Sequence, residues 1–302
     1  MHVFLTGGTG LTGPAVVSEL IGSGHRVTGL ARTDAAAARL ERLGAAAMRG
    51  SLDDLDTLRA GAEKADGVIH MAFGIPGAGD SAELARQDVS AIRVLGEPLV
   101  DSGRPLIVTS GTMALAAGRI SSEQDAESAD AIGALRQAGE QACLDLASRG
   151  VRSIIIRPAP SIHGPGDHGF VPMLIAAARR TGLSAYVGDG ANRWPAVHRL
   201  DLADLYRLAL EKAPTGSRLH GVGEAAVTLK SIAEKIAERL GIPAVSVDAS
   251  AAAAHFGNDF MALVFGTDAP ASSDHTQQLL GWRPNHWTLS EDLENGDYFT
   301  TN

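Results

Sequence analysis

The sequence has little of several features that mark particular protein classes. Its 302 residues include one cysteine, which excludes an intramolecular disulfide framework, and Cys143 is expected to be a small buried hydrophobe. Lysine and arginine number 26 against 35 aspartate and glutamate, and the formal charge of −9 argues against nucleic acid or an anionic membrane as partner. No apolar run approaches the roughly 20 residues of a membrane span, and no basic segment precedes an apolar core. We therefore expect a cytoplasmic protein.

Aromatic residues are also scarce, at 4% of the chain. Tyrosine occurs only at Tyr186, Tyr206 and Tyr298, and no lysine lies between Lys64 and Lys212. No tyrosine is therefore followed by a lysine four residues later. Hydrophobic residues make up 45% and charged residues 20%, which is typical of a globular chain that can bury a large core.

The most informative segment is the glycine-rich run at residues 6–13, Thr-Gly-Gly-Thr-Gly-Leu-Thr-Gly. It follows the apolar run at 1–5 and precedes apolar residues at helical spacing. Glycine every third residue permits a tight turn from strand to helix, a close approach of the backbone to a pyrophosphate, and close packing of helix on sheet. The positive end of the helix then faces the phosphates. We predict a dinucleotide-binding turn whose contacts are Gly7, Thr9, Gly10, Leu11, Thr12 and Gly13.

Strand and helix patterns alternate through the first half of the chain. Strands are predicted at 3–5, 26–30, 67–71, 105–109 and 151–156. Helices are predicted at 14–21, 34–43, 55–62, 82–100 and 131–148. This alternation predicts an α/β fold with a Rossmann-type doubly wound parallel sheet, and continuous apolar strands such as 153–156 fit burial on both faces. We assign 1–160 to a dinucleotide-binding domain.

The pattern changes after Arg157 and Pro158 to a loop rich in glycine, proline and histidine at 160–169. Loops at the carboxyl ends of strands are where open α/β sheets bind their ligands. Helical patterns follow at 171–180, 202–211, 229–240 and 272–280. We predict a smaller C-terminal substrate lobe at 161–302, with 184–220 returning to the sheet.

Several motifs resemble, in order, those of the extended short-chain dehydrogenase/reductase family, which includes NAD-dependent epimerases and dehydratases. They lie at 6–13, 68–72, 108–110, 157–166, 188–203 and 280–284, so the resemblance spans nearly the whole chain. It implies a nicotinamide cofactor, a small-molecule substrate and a homodimer formed through 82–100 and 131–148. It also implies cofactor contacts from Ser51, Leu52, Met71, Ala72, Phe73, Thr109, Ser110, Arg136 and Pro158.

The sequence departs from the family's pattern at the catalytic residues. The family's tyrosine falls on Ile132, its lysine on Arg136 and its serine on Gly111, as in atypical members of the superfamily. Arg136 can still hydrogen-bond a ribose, but it stays cationic and is a poor proton donor. Loss of the donor costs roughly 10²–10⁴-fold in rate unless another acid replaces it.

His163 and His168 are the leading replacement acids, because imidazole titrates near neutral pH and both lie on the loop expected to line the substrate pocket. The alternative is that both histidines brace a glycine-rich loop. Tyr186 is a weaker candidate, and Thr112 could serve only as a hydrogen-bond donor. No metal site is predicted, because His163 and His168, even with the aspartate between them, have no recognised ligand spacing.

Arg32 follows the second predicted strand and could pair a 2′-phosphate, which favours NADP(H) over NAD(H). The alternative is that Arg32 is a solvated charge and Asp34 meets the ribose. Trp194 stands where related nucleotide-sugar enzymes carry a diphosphate-binding arginine, and an indole cannot neutralise a diphosphate. Packing in the lobe is an equally ordinary role for Trp194. Substrate contacts are predicted from Gly74, Gly111, His163, His168 and Trp194.

The leading interpretation is an NADP(H)-dependent oxidoreductase with non-standard acid/base residues. Its substrate would be a small, partly apolar carbonyl or activated double bond. A catalytically silent NADP(H)-sensing regulatory protein is the alternative, because the missing residues permit it. An epimerase is the third choice, since it also needs a base.

Overall fold

The computed structural model describes residues 1–74, 80–128, 130 and 132–300. The strands are β1 His2–Thr6, β2 Arg26–Ala31, β3 Ala46–Arg49, β4 Gly67–His70, β5 Pro105–Thr109, β6 Arg152–Pro158, β7 Ser161–His163, β8 Ser184–Val187, β9 Arg193–His198, β10 Ser217–Gly221, β11 Glu224–Thr228 and β12 Ala244–Val247. The helices are α1 Gly13–Gly22, α2 Asp34–Arg42, α3 Leu55–Glu63, α4 Ser81–Gly96, α5 Ala134–Asp145, α6 Phe170–Thr181, α7 Arg199–Lys212, α8 Leu229–Leu240, α9 Ala249–Phe256, α10 Asp259–Gly266, α11 Asp274–Leu280 and α12 Leu289–Asn295. Short 3-10 turns follow α4 at Glu97–Leu99 and α5 at Leu146–Arg149.

Seven parallel strands form the central sheet in the order β10-β6-β5-β4-β1-β2-β3. Alternate residues of each strand enter opposite cores. In β1, Val3 and Leu5 pack on the side of α1 and α7, whereas Phe4 packs on the side of α3 and α4. Helices therefore cover both faces, and the predicted doubly wound α/β sheet is confirmed.

The edge strand β3 is absent from the predicted elements. Its sequence, Ala-Ala-Met-Arg, contains no β-branched residue, and its four residues are half-buried or exposed. Neither composition nor alternation therefore marks it. Pairing with β2 from Thr28 to Ala31 makes it a strand. The helix predicted at 131–148 begins at Ala134, and residue 131 lies outside the described part of the chain.

The C-terminal lobe packs α6, α8, α9, α10 and α12 around two small sheets, β11-β9-β7 and β12-β8. Within the segment 184–220, only β10 joins the central sheet, where it pairs with β6, and α7 packs against α1. The strands β8 and β9 instead belong to the small sheets, because they pair with β12 and with β7 and β11. Among the described residues, no helix combines the length and apolar character needed to cross a membrane.

Candidate active site

The glycine turn between β1 and α1 is packed so tightly that side chains cannot be added to it. Gly7 has a φ of +77°, and a Cβ there would lie 2.8 Å from the backbone nitrogen of Ala72. A Cβ on Gly13 would lie 2.3 Å from the carbonyl oxygen of Gly7. The Gly10 N–H donates to that same oxygen at 3.0 Å. The turn therefore depends on glycine at both ends.

The amino end of α1 is left open for a ligand. Its N-cap residue, Thr12, makes no side-chain cap, whereas Thr33, Asp54 and Asp80 cap the next three described helices. Uncapped N–H groups at a helix start, beside glycines that leave room for a close approach, suit the phosphates of a dinucleotide. The residues present therefore fit the cofactor that the sequence predicts.

The side chain of Arg136, on α5, reaches the carboxyl end of β5 and the segment that follows β4. Its Nη2 donates to the carbonyl oxygen of Thr109, and its guanidinium carbon lies 3.9 Å from the ring centre of Phe73. Its Nη1 is buried and has no hydrogen-bond partner among the described residues. Burial lowers the pKa of Arg136, which the nearby Asp88 carboxylate opposes. A buried donor without a partner fits an absent ligand.

Other predicted residues meet at the same edge of the sheet. The Thr112 hydroxyl is buried and donates to the carbonyl oxygen of Pro158 at 3.3 Å, so its proton is already engaged. Gly111 faces that same carbonyl. Met71 and Ser110 are half-buried at the ends of β4 and β5. Gly74 lies against Leu84, where a Cβ would meet its Cδ2 at 2.2 Å.

We call the edge of the sheet at the carboxyl ends of β5, β4, β1 and β2 the cleft. Its end beyond β2 is rich in arginine. Arg32 is exposed directly after the strand, and Arg49 Nη2 donates to its carbonyl oxygen at 3.1 Å. Arg39, on α2, reaches the glycine turn, where its Nη1 donates to the carbonyl oxygen of Thr9 at 3.2 Å. Sequence reasoning missed Arg39 and Arg49, since only folding brings them beside Arg32. Asp34 is exposed, 3.5 Å from Arg49 Nη2.

Two further predicted residues, Ser51 and Leu52, follow β3. Both are half-buried, and the Ser51 hydroxyl accepts from the Asp53 N–H at 3.2 Å. Leu52 packs against the core on the α3 side of the sheet. The N–H of Gly50, just before them, donates to the carbonyl oxygen of Ala31 at 3.1 Å, so the segment starts beside the end of β2.

The structure separates the two histidines of the 160–169 loop. His163 ends β7, is 1% exposed, and its Nδ1 donates to Asp292 Oδ2 at 2.5 Å. His168 is exposed, and its Nδ1 lies 3.3 Å from the carbonyl oxygen of Gly166. Burial raises the pKa of Asp167, whose Oδ2 accepts from the Tyr298 hydroxyl at 2.7 Å. Asp292 and Tyr298 come from the chain's last helix and the segment after it, and the sequence offered no signal for either.

The loop contacts the glycine turn. Arg199, the first residue of α7, donates through Nη2 to the carbonyl oxygen of Leu11 at 3.1 Å and through Nη1 to that of Pro165. A Cβ on Gly169 would lie 3.1 Å from Leu11 Cδ2. The exposed His168 therefore lies on a segment that touches the dinucleotide turn.

A second histidine cluster lies behind this loop, where His198, Asp201 and His286 offer three ligand atoms within 4.8 Å of one another. The two imidazole rings stack at 4.7 Å with an interplanar angle of 8°, so their in-plane lone pairs run in parallel planes instead of converging on one ion. The Asp201 carboxylate accepts from the N–H groups of Asn285 and His286. Burial lowers the pKa of His198 to about 4. The cluster therefore ties the segment after α11 to α7.

Tyr186 and Trp194 lie away from the cleft. Tyr186 is on β8, with Lys230 Nζ 5.6 Å from its ring centre. Trp194 is 1% exposed, stacks on Phe265 at 5.5 Å, and donates its indole N–H to the carbonyl oxygen of Thr267 at 3.0 Å. Pairing of β9 with β7 and β11 turns the indole into the lobe core, so both the ring and its donor are occupied by packing.

An apolar residue, Ile132, occupies the position to which the resemblance assigns the family's tyrosine. Ile132 is half-buried and packs against the lobe core, as do Met113 and Phe170. A Cβ on the next residue, Gly133, would lie 2.9 Å from the carbonyl oxygen of Ala114. Ile132 therefore stands beside the segment that follows β5, with no hydroxyl to offer.

Comparisons with known proteins agree with this architecture. The model of the NAD dependent epimerase/dehydratase family matches residues 3–220. An uncharacterized protein of Schizosaccharomyces pombe is 45% identical, covering 99% of this chain and 100% of its own. The 4-hydroxy-2-methyl-3-oxo-4-farnesyl-3,4-dihydroquinoline-1-oxide ketoreductase of Stigmatella aurantiaca is 30% identical, covering 90% of this chain and 84% of its own.

Among solved structures, DesIV, a dTDP-glucose 4,6-dehydratase from Streptomyces venezuelae with NAD and TYD bound, has the same fold with a TM-score of 0.79. It is 19% identical and covers 97% of this chain and 96% of its own. Family membership and the reductase-like relative support a NAD(P)-dependent oxidoreductase-type function. The resemblance noted in the sequence is confirmed: the chain belongs to the NAD-dependent epimerase/dehydratase family of extended short-chain dehydrogenase/reductase proteins.

Proposed function

We propose that the protein is an NADP(H)-dependent oxidoreductase that reduces a small, partly apolar carbonyl substrate with acid/base residues other than the family's tyrosine and lysine. One observation carries the proposal. A glycine turn that fits a dinucleotide stands beside a cleft where Arg136 keeps a buried donor with no partner in the described part of the chain, while Ile132 replaces the phenol. The ketoreductase relative favours a ketone over an activated carbon–carbon or carbon–nitrogen double bond.

The preference for NADP(H) rests on the arginines beyond β2. Guanidinium groups bind phosphate in a bidentate manner, and Arg32, Arg39 and Arg49 all lie around the end of that strand. The nearby carboxylate, Asp34, is fully exposed and is 3.5 Å from Arg49, so its charge is directed to an arginine. Arg32→Ala should weaken NADPH binding at least tenfold, about 1.4 kcal/mol, and leave NADH binding nearly unchanged. Tighter binding of NADH than NADPH by the unaltered protein would remove this preference.

Separate roles are proposed for the cofactor and for the residues of the cleft. When bound, the reduced nicotinamide supplies a hydride to the substrate carbon. Arg136 would hold the ribose, with the ring of Phe73 packed against its guanidinium at 3.9 Å. Ile132, which packs against the lobe core, offers no proton to the substrate, so the donor must come from elsewhere.

His168 is the proposed proton donor, because its imidazole is exposed on the loop that contacts the glycine turn. His163 is proposed to position that loop, since its Nδ1 makes a buried hydrogen bond to Asp292 on α12. The two roles predict different kinetic effects. A donor contributes about 10²–10⁴-fold to the rate of the chemical step, whereas a loop-positioning residue affects binding and chemistry together.

The test follows NADPH absorbance with a panel of ketones, enones, imines and UDP- and TDP-sugars. His168→Gln should lower kcat by about 10²-fold with little change in the KM for NADPH. His163→Gln should raise KM and lower kcat together. His275→Gln, an exposed histidine on α11, is the matched control and should leave both constants unchanged. Turnover of a nucleotide sugar would refute the substrate proposal.

The alternative function is an NADP(H)-sensing regulatory protein, favoured by the apolar Ile132 and by Gly111 at the family's tyrosine and serine positions. Cofactor binding without consumption across the whole panel would support it over the enzyme. An epimerase would instead interconvert a substrate without net use of cofactor. The expected cytoplasmic location stays a prediction, as does a homodimer through α4 and α5, for which sedimentation is the direct test.

A further inference from the structure

A line of buried polar side chains runs beneath the cofactor cleft from β1 to α5. The Thr6 hydroxyl oxygen lies 2.7 Å from His70 Nδ1, and His70 Nε2 lies 3.0 Å from Asp88 Oδ1. Asp88 Oδ2 lies 3.8 Å from Arg136 Nη1. The line therefore ends at the guanidinium that is proposed to hold the cofactor ribose.

The hydrogen bonds in this line have one consistent direction. An ionised carboxylate only accepts, so His70 Nε2 carries the proton that it shares with Asp88. His70 Nδ1 then accepts from the Thr6 hydroxyl, whose oxygen accepts from the Ala72 N–H at 3.3 Å. Each donor points toward Asp88, which fixes the imidazole tautomer and holds one carboxylate oxygen in place.

The absence of a side chain at Gly139 leaves room for the second carboxylate oxygen of Asp88. A Cβ on Gly139, which lies on α5 one turn after Arg136, would come within 2.5 Å of Asp88 Oδ2. Asp88 is 3% exposed, and a carboxylate buried to that degree is costly unless it is paired. The cation that faces this oxygen is Arg136.

The distance between the two charged groups is informative. At 3.8 Å the ion pair is within range for charge attraction but too long for a hydrogen bond, so Asp88 leaves the N–H groups of Nη1 unused. Thr109 and Phe73 hold the rest of the guanidinium. Asp88 therefore offsets the charge of Arg136 without consuming its free donor.

We propose that Asp88 is a positioning residue that neutralises and aims Arg136, so that Nη1 donates to the cofactor ribose beside the nicotinamide. This inference rests on the proposed function. Its physical reason is the permanent charge of arginine. Without Asp88, an unpaired guanidinium would stand beside the positively charged ring of the oxidised cofactor. Coulomb repulsion would then weaken binding of the oxidised cofactor more than binding of the reduced one.

The test measures Kd for NADP⁺ and NADPH by calorimetry on the full chain. Asp88→Asn keeps an oxygen for His70 and removes the charge. It should raise Kd for NADP⁺ about tenfold and Kd for NADPH much less, which is within the range of coupling between contacting residues. Arg136→Met leaves the Asp88 carboxylate unopposed and should shift the ratio of the two Kd values the opposite way. Glu83→Gln, an exposed carboxylate on the same helix, is the matched control and should change neither Kd.

The double variant Asp88→Asn, Arg136→Met removes both charges, so the ratio of its two Kd values should return close to that of the unaltered protein. Equal weakening of both redox forms by Asp88→Asn, or a double variant whose Kd ratio stays at that of Arg136→Met, would make Asp88 a packing residue and overturn the inference. If Asp88→Asn does not fold, Arg136→Met decides by the sign of its shift in the Kd ratio, and an unchanged ratio overturns the inference. Failure of the unaltered protein to bind either cofactor would instead overturn the proposed function and this inference with it.

Discussion

Replacing Gly13 by alanine tests the cofactor turn at its tightest point. The added methyl group would lie 2.3 Å from the carbonyl oxygen of Gly7, and real Cβ atoms essentially never approach closer than 3.0 Å. The oxygen must therefore retreat by about 0.7 Å. The other close neighbours are also backbone atoms, Gly8 C at 2.4 Å and Gly8 O at 2.6 Å, so no side-chain rotation can relieve the overlap.

The same displacement should affect both folding and binding. Overpacking of this kind costs about 1–3 kcal/mol of unfolding free energy. It also shifts the peptide between Gly7 and Gly8, whose position sets how closely the turn approaches the phosphates. We expect Kd for NADPH to rise at least tenfold, which corresponds to about 1.4 kcal/mol. Urea unfolding followed by circular dichroism and calorimetric titration measure the two effects separately.

Gly22→Ala is the matched control, because Gly22 ends the same helix and a Cβ there would meet no atom within 4 Å. It should leave Kd unchanged and raise the unfolding free energy by up to about 1 kcal/mol, since alanine favours the helix over glycine. A folded Gly13→Ala protein with unaltered Kd and stability would refute the assignment of residues 6–13 to the phosphates.

Three further predictions concern buried side chains. Burial lowers the pKa of His220 from 6.5 to about 4, so the contribution of the neutral imidazole to the unfolding free energy should be fully present above pH 6.5 and fall as the pH drops toward 4. Urea unfolding should show a smaller loss of unfolding free energy over this range for His220→Gln, and an equal loss would contradict this. Trp194→Phe should cost about 1–3 kcal/mol of unfolding free energy and leave the substrate KM unchanged; a tenfold change in KM would place the indole in the pocket. Burial raises the pKa of Cys143 to about 12, so a thiol reagent should label it only after unfolding, and rapid labelling of the native protein would argue otherwise.

The fold could be predicted where the pattern is local. Each strand of the central sheet with an apolar run, such as β5, was recognisable because burial on both faces requires consecutive hydrophobic residues. The short strand β3 lacks that pattern, and β2 recruits it through backbone hydrogen bonds that any residues could make. Similarly, the position of Trp194 in a known motif suggested a pocket, whereas strand pairing in a small sheet turned it into a core.

The candidate site divides in the same way. Arg136 was identified from its spacing to other motifs, but its partner Asp88 was not. The Asp88 carboxylate faces Arg136 because His70 holds one of its oxygens and Gly139 leaves room for the other, and neither contact is visible in the sequence. His163 was expected at the loop, yet its partner Asp292 lies 129 residues later in the chain. Nothing in the intervening sequence indicates that the two side chains meet.

The sequence by itself determined the glycine turn after β1, the doubly wound sheet and the absence of a tyrosine followed four residues later by a lysine, because each depends on residue type at short spacing. Only the tertiary structure decided which charged groups are neutralised, which histidine is exposed and which aromatic ring is core. Those outcomes depend on side chains from distant segments sharing one buried volume, where a charge without a partner is costly and a satisfied one is held in place.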